Sequence, residues 1–302
     1  EFRRVLFRST DQFAAMNTSA ISGISGLAIK GMTTAGIVAL TSDQAAALST
    51  AQIAALLTTQ VAAFETEDLA AMTTNEIRAF TVAQIRSLGT AQIASLTTDQ
   101  ARALTTDQVS NLTSTQIAAM VTDDLVALQT QQMAVLTSTQ IGALTTDQVA
   151  AIETRDLVAI TTQALLGLTA QGVEALTTEQ IAKLTTTQLT SLTTSQIAAI
   201  ETDDLAALTT TQFASLGVGQ VRALTSDQIA SITTSQIGAM TSAQVSGLGT
   251  SQVASITTDD IAAMGTEQVR SLTSAQVAAL GTDRKSTRLN SSHGYISYAV
   301  FC

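Results

Sequence analysis

The chain has 302 residues, 45% of them hydrophobic but only 3% aromatic, with 16 Gly, no Pro, no Trp and a formal net charge of −10. Between residues 10 and 283 there are 8 Lys plus Arg against 23 Asp plus Glu, so that stretch carries 8 − 23 = −15. Such a balance repels phosphate and disfavours nucleic-acid partners, and no apolar run reaches the roughly 18 to 20 residues of a spanning helix.

Residues 1–9 (EFRRVLFRS) are compositionally foreign to the Thr- and Ala-rich body of the chain. From Met16 to Ala279 the chain is then 33 consecutive octads built on L-T-T-x-Q-I-A-A, with neither insertion nor deletion; LTTDQVAA at 144–151 and LTTEQIAK at 176–183 show the pattern. A short period held in register over this length predicts a stack of small identical units, each too small to bury its own core. Numbering the octad 1 to 8 from the Leu, position 1 is apolar throughout. Position 6 is apolar throughout too, falling to Ala only at Ala45 and Ala101, and position 5 is Gln in 22 of the 33.

One continuous helix is excluded, because eight residues at about 100° each rotate the apolar stripe by roughly 80° per octad. One short helix per octad fits instead. Thr at position 2 and Gln at position 5 form a capping box, and the apolar residues at 1 and 6 then stand at the two ends of a hydrophobic staple. The helix is predicted over positions 3 to 8, with lengths of about five to seven residues. Where position 2 is Gly89 or Glu153, the hydroxyl at position 3 is expected to take over the cap. Acids gather at positions 2, 4 and 5, whereas Lys30, Arg78, Arg86, Arg102, Arg222 and Arg270 stand at position 7; one helix dipole per octad favours that segregation. Position 7 should therefore face water, and position 8, almost always Ala, Ser or Gly, should meet a neighbouring backbone. The fold these patterns predict is an all-α solenoid of very short capped helices, one per eight-residue repeat. A β-solenoid is the alternative, since Thr, Ile and Val favour strands and eight is even; no regular turn residue supports it.

The last stretch, 284–302 (RKSTRLNSSHGYISYAVFC), is again foreign and holds the only His (His293), the only Cys (Cys302) and both Tyr. Both ends resemble translated sequencing-adapter read-through in assembled metagenomic reading frames, so residues 1–9 and 284–302 are expected to be artefacts that do not pack specifically. The organisation expected is thus 1–9, an octad solenoid over 10–283 with regular units 16–279, and 284–302.

Few residues offer chemistry. Acidic pairs recur at positions 4 and 5, and Asp123-Asp124, Asp203-Asp204 and Asp259-Asp260 are weak calcium candidates, because hard cations want carboxylate oxygens. The alternative is an Asp substituting for Gln as the inward group at a helix start, its neighbour favoured by the dipole. Gln at position 5 either caps its own helix or ladders between units. Thr and Ser are plentiful, but the array has no His or Cys to activate a nucleophile and no N or S ligand for a transition metal. We expect no catalysis, no cofactor and no catalytic residue.

Strings such as LTTDQVAAI (144–152) resemble the first helix of transcription-activator-like effectors, yet the period, the missing base-reading loop and the charge exclude that family. The octad region as a whole resembles the LTTxQ arrays of very large proteobacterial surface or secreted proteins of adhesin or haemagglutinin type. That resemblance implies an extracellular or cell-surface location and a structural spacer or stalk, with a repeat-based binding module for a host or cell-surface protein or glycan as the alternative. Proteins of that kind are also named for haem utilization, but the array offers no haem ligand.

Overall fold

The computed structural model describes residues 10–287, with side chains to residue 280. Among the described residues there are 34 helices and no strand. The all-α reading holds and the β-solenoid alternative does not. The reason is local: in octad 48–55, Ser49 is the extended N-cap and the helix runs Thr50–Ala55, positions 3 to 8 as predicted.

All helices but the last have four to six residues, slightly fewer than expected. The difference lies in the closing turn. In most octads the backbone N–H of position 1 bonds back three residues, as Leu88 N does to the Ile85 carbonyl at 3.2 Å, a tight 3₁₀-type closure of the last turn.

The cap prediction for Gly89 and Glu153 is corrected. Both remain the N-cap, in extended backbone, and the helices start at Thr90 and Thr154. An N-cap needs extended φ/ψ more than it needs a side chain, and Gly89 still has its N–H bonded to Gln92 Oε1 at 2.8 Å.

The array also begins earlier than its regular units. Thr10–Ala14 is already a helix, with Phe13 buried at position 6. At the other end Ser274–Thr287 is one 14-residue helix that passes through residues 284–287 without a break. The remainder of the two foreign ends, 1–9 and 288–302, lies outside the described residues.

The chain divides into two compact units between Leu176 and Thr177. In each, a helix packs on the helix three places further along. Thr74–Ala79 meets Thr98–Ala103 in the first unit, and Thr210–Ser215 meets Thr234–Ala239 in the second. The core of each coil is made of positions 1 and 6, for example Leu112 and Ile117, or Leu208 and Phe213, all with less than 5% of their surface exposed. Position 7 is mostly exposed and position 8 half-buried. Small residues at position 8 have a visible cause at Gly167, where an added Cβ would fall on the backbone carbonyl of Ser138, in the helix three places earlier.

Candidate functional site

The feature that organises the molecule is the row of glutamines at position 5, every one of them buried. Gln116 shows the arrangement. Its Oε1 accepts the backbone N–H of its own N-cap Thr113 at 2.9 Å, while its backbone N–H donates to the Thr113 hydroxyl at 3.2 Å. Its Nε2 donates to the carbonyls of Ile85 and Leu88, both at 2.8 Å and respectively 31 and 28 residues earlier. The same pair of spacings recurs at Gln52, Gln84 and Gln140 in the first unit and at Gln220, Gln252 and Gln268 in the second. One coil thus closes after 28 to 31 residues, between three and four octads.

This arrangement unites the two sequence readings of Gln. A helix end leaves unpaired N–H groups at its start and unpaired carbonyls at its finish. One primary amide serves both: its oxygen caps the start of its own helix, and its nitrogen caps the finish of a helix in the preceding coil. Six-residue helices are unstable alone because nucleation outweighs the few bonds they make. Here a glutamine-bearing helix is capped at its start by its own amide, which also ties it to the coil before.

Eleven octads lack the amide. Six carry an acid at position 5: Asp68, Glu76, Asp124, Asp156, Asp204 and Asp260, all buried. Glu76 keeps half of the amide's role, accepting the Thr73 N–H at 2.7 Å. Asp carries no N–H to give to the earlier carbonyls, and at three of the five sites its carboxylate bonds a hydroxyl instead. Asp68 Oδ1 accepts from Ser42 at 3.0 Å and Asp156 Oδ1 from Thr130 at 2.5 Å, each 26 residues earlier, whereas Asp260 Oδ2 accepts from its own N-cap Thr257 at 2.5 Å. The second oxygens of Asp68 and Asp124 are buried without a hydrogen-bond partner. Burial raises the pKa of Asp68, Glu76 and Asp124, the last to about 6, with the Asp123 charge adding to the rise. Glu67, on the surface, shifts the other way through its own backbone N–H and the Thr66 hydroxyl.

The calcium candidates are placed one in, one out. Asp123, Asp203 and Asp259 are exposed at position 4, while Asp124, Asp204 and Asp260 point into the core at position 5. The two carboxylates of a pair therefore diverge. Among the described residues no group of three or more His, Cys, Asp or Glu side chains converges. An open groove of about 350 Å³ is lined by Arg102, Asp123, Gln129, Glu153 and Arg155, among others. Its arginines are already engaged, Arg155 with Glu153 at 2.8 Å and Arg102 with Asp99 at 3.5 Å.

Seven segments match the family described as ALTTAQ repeat, at residues 27–59, 61–98, 83–114, 117–151, 149–186, 197–234 and 253–284. Together they cover well over half of the chain, which belongs to this repeat family. Comparison with curated proteins gives no match. Among the described residues no helix is long and apolar enough to cross a membrane.

Proposed function

We propose that this chain is a structural spacer or stalk of a secreted or surface-displayed, adhesin-like bacterial protein, and that it performs no catalysis. The observation that carries the reading is the repeated glutamine bridge. Because a glutamine-bearing octad is tied to the octads three and four before it by the same two bonds, coils add without altering those already made. A scaffold of this kind sets a separation in proportion to its number of coils. The acidic surface and the engaged arginines fit a solvated, non-catalytic body.

A second reading, a repeat-based module that binds a protein or glycan, is favoured by the exposure of positions 4 and 7, the most variable of the octad. A deletion series separates the two. Removing 56 residues, two coils of 28, such as 64–119, keeps the register of every remaining bridge. A spacer shortens in proportion in small-angle scattering and keeps cell adhesion roughly constant wherever the deletion falls. One deletion that abolishes adhesion while the remaining coils stay folded would refute the spacer and favour the binding module.

A further inference from the structure

We propose that the buried aspartates standing in the glutamine row, Asp124 and Asp68 foremost, are proton-linked joints: taking up a proton restores a donor to the row, so the array tightens on mild acidification. The geometry begins with register. At an ordinary octad the position 5 side chain presents an N–H donor to carbonyls 31 and 28 residues earlier, which for Asp124 correspond to Ile93 and Leu96, and for Asp68 to Ile37 and Leu40. A carboxylate has no donor to offer. Both side chains are nonetheless buried, with 2% and 3% exposure, and each leaves Oδ2 without a partner. An unpaired buried carboxylate oxygen is costly. A neutral carboxyl lowers that cost and carries an O–H that can be donated.

The charged surroundings leave no cation to compensate instead. The Asp124 helix, Thr122–Val126, packs on Thr98–Ala103 and Thr146–Ala151. Those helices bring Asp99 and Arg102, which pair with each other at the surface, and exposed Asp147. Asp123 is its own neighbour, and Glu153 and Arg155, which share a groove with Asp123, are bonded to one another. Around Asp68 the helix Thr66–Ala71 packs on Ser42–Ala45 and Thr90–Ala94, which contribute exposed Asp43 and no charge respectively; its own segment adds Glu65 and Glu67. From the preceding coil it is the Ser42 hydroxyl that reaches Asp68.

The pKa directions agree. Burial lifts Asp124 from 3.8 to about 6 and lifts Asp68 against the opposing Ser42 bond. A carboxyl whose folded pKa exceeds its unfolded value binds a proton on folding. Its contribution is fully present below the unfolded pKa and is lost as pH rises through the folded one, here between about 4 and 6 for Asp124. That is the reverse of a salt-bridged carboxylate.

The test uses the full chain and its D68N/D124N variant, in which each side chain gains an N–H donor that does not titrate. Amide hydrogen exchange, corrected for intrinsic rates, is followed at pH 5 and 7.5, together with isotope-edited titration of the Asp124 carboxyl. We expect local protection around Thr122–Val126 to be about tenfold greater at pH 5 than at pH 7.5 in the parent. In the variant the difference disappears, with high protection at both pH values. Titration of Asp124 at the ordinary carboxylate value of about 4 overturns the proposal. So does a variant that keeps the parent's pH response, because relief of general surface repulsion then explains it. Should the variant not fold, the carboxyl titration of the parent decides alone.

Discussion

Residues 80–119 and residues 152–175 have the same octad period and fold into the same short helices, but they are held differently. In the first stretch five successive octads carry Gln84, Gln92, Gln100, Gln108 and Gln116, and every one bridges to carbonyls of the preceding coil. In the second, position 5 is Asp156, Ala164 and Gly172. There the coils meet backbone to backbone: Gly167 lies against Ser138, and a Cβ on Gly142 would stand 2.7 Å from the Gly167 carbonyl. Leu144, whose counterpart 28 residues on is Gly172, is only half-buried, unlike most position 1 residues. Helix formation in this fold therefore depends on the octad's own caps and apolar anchors, whereas the side-chain bridge to the preceding coil depends on one amide per octad, and where it is missing small residues let the backbones meet.

The largest effect should come from charging the core of the bridged stretch. Ile117 has no exposed surface, so Ile117→Asp places an unpaired carboxylate inside the coil and should cost roughly 3 to 5 kcal/mol. The loss should be local, seen in hydrogen exchange of neighbouring octads before distant ones. Leu144→Asp, on the face that meets the unbridged stretch at Gly172, should cost less because the side chain is only half-buried. Equal losses at the two positions would remove the distinction drawn between the stretches.

Removing one bridge comes next. Gln108→Ala leaves the Thr105 N–H and the Phe80 carbonyl without their amide partner, while the Ile77 carbonyl keeps only the Phe80 N–H, for an expected loss of roughly 2 to 4 kcal/mol. Circular dichroism should hardly change, since the helix keeps its hydroxyl cap from Thr105 at 3.1 Å. A large loss of helix at this one site would mean that the amide builds the helix as well as the stack.

The reverse change tests whether the unbridged stretch can be given a bridge. At Gly172 an added Cβ meets the far end of the Leu168 side chain at 3.2 Å, a contact that a rotamer change relieves. Gly172→Gln should therefore raise stability by roughly 1 to 2 kcal/mol, from reduced backbone freedom and new bonds towards Ile141 and Leu144. Thermal melting of the full chain checks the sign.

Legibility in the sequence divides along the same line. The cap, the two anchors and the span from position 3 to 8 were legible because each lies within eight residues and rests on local geometry. Gln108 could be recognised as a capping side chain for that reason. Its partners at Ile77 and Phe80 could not. A perfect octad period looks the same after any shift by eight, so nothing in it tells how many octads close a coil. The opposite fates of Asp123 and Asp124 were half legible: an inward Asp in the place of Gln was foreseeable, but its unpaired oxygen depends on the coil beneath. Gly89 and Glu153 mislead because the capping rule is framed on the side chain, when the extended backbone alone suffices at both, helped at Gly89 by the amide of Gln92.

The smallest predicted effect isolates the cap from the bridge. In octad 104–111 the Thr105 hydroxyl receives the Gln108 N–H, and Gln108 returns a bond to the Thr105 N–H at 2.8 Å; in octad 88–95 Gly89 keeps only the second bond, also at 2.8 Å. Converting Thr105 to Gly should make the first octad like the second and cost only a few tenths of a kcal/mol, whereas Thr105→Ala should cost about 1 kcal/mol, because Ala loses the hydroxyl without gaining Gly's ease in exposing the helix start to water. The order Thr, Gly, Ala in melting temperature is the result expected if the amide alone secures the coil and the hydroxyl only refines the helix end. If Gly proved as damaging as Gln108→Ala, the hydroxyl would be part of the bridge, and octad 88–95 would have to be counted with the unbridged stretch.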